Sequence, residues 1–179
     1  MSFLRRSNFS SMITRAKNFI NGEFVESKSL ITTQVVNPAT QELLYYVPQS
    51  TVEELKDAEN GAFEAYKSWR EVPVQQRQRI FFNLQKLIRE NTDELALSIT
   101  TEHGKTLPDA KGDVFRGLEV VEAVCNISTL MMGETIEGLA KGIDTYSYRQ
   151  PLGVTVGICP FNFPAMIPLW VCIVELRNI

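Results

Sequence analysis

Apolar positions recur at three different spacings along this chain, and each spacing predicts a different kind of element. Near the start, FINGEFV at 19–25 places Asn21-Gly22 between two short apolar runs, the pair that tolerates the positive φ of a two-residue hairpin turn. VVNPATQELLYYVPQS repeats the logic, with a short strand, a turn at Asn37-Pro38 and a second strand over 43–47. From residue 50 the spacing becomes helical. Ser50 and Glu53 form a capping box, and Val52, Leu55, Ala58, Ala62, Tyr66 and Trp69 define one face expected to be buried. Pro73 opens a second helix with Ile80, Phe81, Leu84, Leu87 and Ile88 inside and Arg77, Arg79, Lys86 and Arg89 on the wet side. A third follows Asn91 and Thr92, carries Leu95 and Ile99, and stops at Gly104. Pro108 opens the longest, whose Ala110, Val114, Leu118, Val121, Val124 and Ser128 face runs on to Met131 and Met132 before Gly133 ends it. Residues 134–144 are glycine-punctuated and read as a loop or a broken hairpin, and 145–149 alternate as an antiparallel strand does.

The third spacing is the densest. Residues 153–159 are rich in glycine and β-branched side chains and carry no charge, as a strand covered on both faces would. Pro160 ends that strand, Phe161, Asn162 and Phe163 occupy a bend, and Pro164 suits the first turn of a following helix. The order of hairpins, helix cluster and first strand of a parallel sheet predicts an α/β fold. A strand entering a helix across a tight turn is where such folds place ligand chemistry. Asn162 is the strongly polar side chain at that bend, and a turn asparagine has two uses: a local hydrogen bond to backbone, or a contact with ligand.

Composition narrows the picture. The uncharged run over 150–174 is long enough to span a membrane, but Pro160, Pro164, Pro168, Gly153 and Gly157 would break a lipid-exposed helix, so no span is expected. A formal net charge of −3, with no Lys/Arg block in the body, argues against nucleic acid as a partner. Cys125, Cys159 and Cys172 fit neither a disulfide framework nor a zinc pattern, and His103 has no second histidine to share a metal with. His103 reads as a helix-end residue facing terminal carbonyls. Arg116, flanked by Gly112 and Gly117, reads from its position as a solvated helix arginine paired with Glu119 or Asp113. Residues 1–17 are basic, serine-rich and acid-free, the composition of a mitochondrial transit peptide or of an ordinary disordered basic terminus.

PLGVTVGICPFNFP at 151–164 resembles the segment with which the aldehyde dehydrogenase superfamily begins its nicotinamide-binding domain. NPAT at 37–40, DVFRGLEVVE at 113–122, LMMGET at 130–135 and YSYRQPLG at 146–153 are similar to the branch of that family acting on methylmalonate semialdehyde. The resemblance runs from residue 19 to 170, after which VCIVELRNI leaves the pattern. It implies the N-terminal part of an aldehyde dehydrogenase fold: 1–17 a transit peptide, and 18–179 an incomplete region for NAD binding and oligomerisation. It implies that Asn162 contributes an oxyanion amide, that Cys159 and Phe161 line the dinucleotide largely through backbone, and that Arg116 clamps a substrate carboxylate. It implies NAD as cofactor, coenzyme A as co-substrate, a small semialdehyde substrate, a homo-oligomer when complete, and the mitochondrial matrix. The family's nucleophilic cysteine lies beyond this chain, so the three cysteines here read as small core residues. The chain is accordingly expected to be a truncated product, inactive alone and prone to aggregation through bare sheet edge and apolar surface, or else a non-catalytic fragment that joins full-length subunits.

Overall fold

A computed structural model of the chain describes residues 14–171 and shows an α/β arrangement. Five short strands come first: β1 (Thr14–Arg15), β2 (Asn18–Ile20), β3 (Glu23–Val25), β4 (Thr32–Val36) and β5 (Leu43–Pro48). β2 and β3 form the expected hairpin, closed by Asn21 at φ 54 and Gly22 at φ 82. β4 and β5 pair antiparallel, and β1 adds to β5 in parallel to give the order β1-β5-β4. Their connection is tightened by Asn37 Oδ1, which accepts the backbone N–H groups of Ala39 and Thr40 at 2.9 and 3.3 Å. β1 belongs to the basic leading segment; the rest of that segment, residues 1–13, lies outside the described residues.

The helix cluster follows the predicted order but departs from it in register and burial. α1 (Val52–Trp69) carries a capping box one residue later than expected, formed by Thr51 and Glu54 rather than Ser50 and Glu53. The Glu54 carboxylate also accepts Ser27 Oγ at 2.9 Å and the Lys28 N–H at 2.6 Å, so its bonds to the preceding loop set which glutamate turns inward. The apolar stripe of α1 is not buried: Val52 and Leu55 are 62% and 60% exposed, and Glu54 is the helix's buried residue. The start of the helix is held by a polar anchor, while towards its end Tyr66 and Trp69 are half-buried, Trp69 beneath the Arg77 guanidinium of the next helix.

α2 (Val74–Glu90) buries Phe81 and Ile88 while Ile80 and Leu87 stay exposed. Arg77, expected in water, is 4% exposed. Its guanidinium donates to the carbonyls of Trp69, Arg70 and Val72 at 3.0 to 3.2 Å and lies over the Trp69 ring at 5.4 Å. The last carbonyls of a helix lack intrahelical donors, and Arg77 supplies them to α1.

α3 (Thr92–His103) ends on Gly104 at φ 84, as expected, and buries Ala96 and Ile99. α4 (Leu107–Val124), capped by Thr106, buries Ala110, Val114, Leu118, Val121 and Val124 against α2 and α3. Each large apolar side chain taken out of water there contributes about 1.5–3 kcal/mol. The helix does not run on to Gly133. It stops at Cys125, whose carbonyl accepts Gln78 Nε2 at 2.6 Å, and resumes as α5 (Ile127–Leu130), a turn that carries Ile127 into the core at 0% exposure.

β6 (Thr135–Ala140) and β7 (Ile143–Tyr146) form a fully exposed hairpin whose register shifts between Ile136 and Ala140. The strand expected over 145–149 therefore begins two residues earlier. Residues 153–159 form no strand among the described residues. A strand exists as one side of a ladder, and the described residues provide no neighbour for this one. Its two sides differ: Gly157 sits where a Cβ would be 2.6 Å from the Val171 side chain, while Val156 and Ile158 are 84% and 91% exposed. No helix of the described residues is long and apolar enough to cross a membrane.

The Glu54 anchor makes stability depend on pH. Backbone N–H groups of Lys28 and Thr51, with the Ser27 hydroxyl, hold its carboxyl below the usual range. A carboxyl with a folded pKa below its unfolded one stabilises above the ordinary glutamate value of about 4.3, and that contribution disappears as pH falls through the folded value. Arg89 and Gln85 lower Glu122 in the same sense. Urea midpoints of the wild-type chain and of Glu54→Gln should differ most near neutral pH and converge in acid; a gap that widens as pH falls would reverse the sign.

Candidate functional site

The turn that follows residue 160 is held by a carboxylate on the apolar stripe of α4. Asp113 is 0% exposed. Its Oδ1 accepts the Met166 N–H at 2.7 Å, and its Oδ2 receives Lys105 Nζ at 2.9 Å. Helical backbone begins at Met166 and runs through 166–171 within the described residues. A helix start presents N–H groups without intrahelical partners, and a negative charge there is favourable, so Asp113 caps this helix from a neighbouring one. Lys105 then lies 4.1 Å over the ring of Phe163. Further along, Gly117 lets the two helices touch: a Cβ there would be 2.6 Å from Leu169 Cδ1 and 3.3 Å from Met166 Cα. Trp170 Nε1 donates to the Arg116 carbonyl at 3.1 Å.

On this framework Asn162 is exposed, and no hydrogen bond among the described residues engages its backbone or its side chain. The local backbone bond that would explain a turn asparagine is not formed. Phe161 is 83% exposed, with its ring 6.4 Å from that of His103, and Cys159 is half-buried. Arg116 is exposed on α4 and meets neither Asp113 nor Glu119: Asp113 is engaged by Lys105 and Met166, and no salt bridge among the described residues involves Arg116. The exit helix reaches the Arg116 backbone through Trp170, but no hydrogen bond or ion pair links Arg116 to Asn162.

His103 ends α3, yet its buried Nδ1 has no partner, so it does not bind the helix-end carbonyls as expected. Its ring instead lies beside that of Phe161. Cys125 is buried, and burial, followed by the Glu122 charge, pushes its thiol up, away from nucleophilic use. Cys172 lies outside the described residues. Among the described residues no cluster of His, Cys, Asp and Glu could hold a metal.

The sequence reading passed over Lys105 and named Asp113 only as an alternative partner of Arg116. A signal for Asp113 was present: it falls three residues after Ala110 and four before Gly117, on the same face as Val114 and Val121, where an unpaired charge is costly. Nothing comparable marked Lys105.

Short strand pairs, a helix cluster, an uncharged run rich in β-branched residues, a tight turn and a capped helix make this a mixed α/β arrangement. The model of the aldehyde dehydrogenase family matches residues 24–177, and the chain belongs to that family. It is 56% identical over 159 residues to the Arabidopsis thaliana methylmalonate-semialdehyde dehydrogenase [acylating], mitochondrial, covering 89% of this chain and 26% of that protein. It is 52% identical over 164 residues to the Homo sapiens methylmalonate-semialdehyde/malonate-semialdehyde dehydrogenase [acylating], mitochondrial, covering 92% and 31%. A crystal structure from Sinorhizobium meliloti, assigned to methylmalonate-semialdehyde dehydrogenase and complexed with NAD, superposes with a TM-score of 0.85 at 37% identity, over 94% of this chain and 39% of that one. The chain thus spans less than a third of the length of these two sequence relatives.

The helix crossing at Gly117 can be tested against Gly112, around which a Cβ meets nothing within 4 Å. Gly112→Ala should stabilise by up to about 1 kcal/mol through helix propensity. Gly117→Ala should lose that gain and destabilise by about 1–3 kcal/mol through overpacking. Denaturant unfolding of the two variants reads the difference; equal stabilities would mean that the exit helix does not rest on α4.

Proposed function

We propose that this chain is the amino-terminal part of a coenzyme A-acylating, NAD-dependent dehydrogenase of methylmalonate and malonate semialdehydes, which oxidises the aldehyde, releases the substrate carboxylate as carbon dioxide and yields propionyl-CoA and acetyl-CoA. The observation that carries the reading is the Asn162 side chain: exposed, without a local hydrogen bond, on a turn held at its far side by a buried ion pair. An amide N–H carried on a turn fixed in this way can stabilise negative charge developing on an aldehyde oxygen under attack by a thiolate. The resemblance assigns that thiolate to a cysteine beyond residues 1–179, and buried Cys125 is no substitute for it.

Arg116 suits the other end of the substrate. A planar guanidinium with no acidic partner among the described residues can take both oxygens of the carboxylate that a semialdehyde acid carries. The run around Cys159 and Phe161 fits a dinucleotide wall, since Ile158 and Phe161 are exposed apolar groups and no acceptor among the described residues engages the backbone N–H groups of 161 and 162. NAD bound there would supply the hydride acceptor, and coenzyme A would take the acyl group. The relatives' mitochondrial names and the basic, acid-free leading segment together support a matrix location.

A second reading rests on the bare β6–β7 hairpin, every residue of which is exposed. On that reading the chain is non-catalytic and associates with full-length subunits, altering their assembly. Co-purification with a full-length relative, with no activity alone, supports it.

The test of the first reading is a chimera in which residues 14–171 replace the matching region of the human relative. It should produce NADH from methylmalonate semialdehyde in the presence of coenzyme A, whereas the 179-residue chain alone should produce none. Asn162→Ala should lower kcat about 100- to 1,000-fold, the usual cost of an oxyanion donor. Arg116→Met should raise KM for the carboxylated substrate about tenfold or more and leave a simple aliphatic aldehyde unaffected. A chimera in which neither substitution alters turnover would refute both assignments.

A further inference from the structure

We infer that Lys105 and Asp113 are positioning residues for the Asn162 amide, acting through the turn on which Asn162 sits. The inference rests on the oxyanion reading of Asn162 and names what sets that amide in place.

Asp113 uses its two oxygens on two different parts of the chain. Oδ1 holds the Met166 N–H, four residues after Asn162, and Oδ2 holds Lys105 Nζ, which lies over the ring of Phe163, the residue next to Asn162. One buried ion pair therefore grips the turn at two points on the C-terminal side of the amide. Both members are shielded, with side-chain exposures of 9% for Lys105 and 0% for Asp113. A neutral acceptor could also take the Met166 N–H, though without the carboxylate's favourable charge, so the hydrogen bond itself does not require a buried ion pair. Removing two charges from water offsets most of what their attraction contributes, and apolar residues of similar size often stabilise a fold as well or better. What the pair provides is direction: Lys105 cannot leave Asp113 without stranding a charge, so Phe163 and the amide before it stay in one place. Preorganised donors stabilise developing charge because they need not move when it forms.

The experiment uses the whole 179-residue chain, 15N-labelled, and follows the side-chain NH2 signals of Asn162, identified by their loss in Asn162→Asp. Asp113→Asn keeps a cap for Met166 and removes the ion pair. Lys105→Met keeps the stem and removes the charge. Both should shift or broaden the Asn162 NH2 signals while the amides of Phe81 and Val121 in the core stay in place. Lys105→Arg should leave the Asn162 signals close to wild type. Hydrogen exchange at the Met166 amide should rise at least tenfold in Asp113→Ala and much less in Asp113→Asn, separating capping from positioning. Should a buried single charge prevent folding, the double variant Lys105→Met, Asp113→Leu removes both; it should fold and still lose the wild-type Asn162 signals. Folded variants with unaltered Asn162 signals overturn the inference. These readouts need no catalysis, so they fail separately from the oxyanion reading, which falls when Asn162→Ala leaves the chimera's kcat intact.

Discussion

A carboxylate with no exposure in the middle of a helix's apolar face has to find partners for both oxygens, and the partners Asp113 finds decide where the chain runs after residue 160. One oxygen accepts the first unengaged N–H of the exit helix. The other holds a lysine from the loop behind α3. Around this pair the close contacts fall into order: Gly117 admits Leu169 and Met166, and Trp170 reaches the Arg116 carbonyl. Glu54 has the same logic on a smaller scale, since its carboxylate fixes the start of α1 and the loop that follows β3. In both places a buried acid ties together segments that are distant in sequence.

The parts of this fold that were legible in the sequence are those decided locally. Asn21-Gly22 and Gly104 need a positive φ that few residues accept and sit where it occurs, and Asn37 closes its turn with its own side-chain oxygen. The α4 stripe was legible because its apolar side chains do face α2 and α3. Periodicity names a helix face but not whether anything covers it, which is why α1 has the right spacing and a stripe that is exposed at its start. Arg77 was misplaced for a related reason. Its guanidinium matches the open carbonyls at the end of α1, and those become neighbours only once the two helices have folded back on each other. The capping box slipped by one residue because ST and EE are both doublets, and the choice between the glutamates lies with Ser27 and Lys28. Of the site, Asn162 was read from its turn and its family; the pair that holds it was not, because Lys105 and Asp113 meet through tertiary structure alone.

Residues 153–159 and the turn after them make opposite demands on the rest of the fold. The valine-rich run needs a neighbouring strand to become one itself, and without it Val156 and Ile158 face outward. The turn does not share that dependence. Its grip comes from α4 and from the loop after α3, both of which are packed within the described residues. The helix cluster can therefore set the position of the Asn162 amide before any parallel sheet is assembled beside it. On the oxyanion reading of Asn162, this division leaves the donor's turn positioned by the helix cluster rather than by the sheet. The same arrangement accounts for the sidedness of the exit segment. Gly157 is drawn against the exit helix, which the cluster holds, and the opposite side waits for a partner. The ordered turn follows from one anchor, Asp113, which fixes the helix after the run rather than the run itself, and the apolar surface beside it follows from the lack of a neighbouring strand among the described residues.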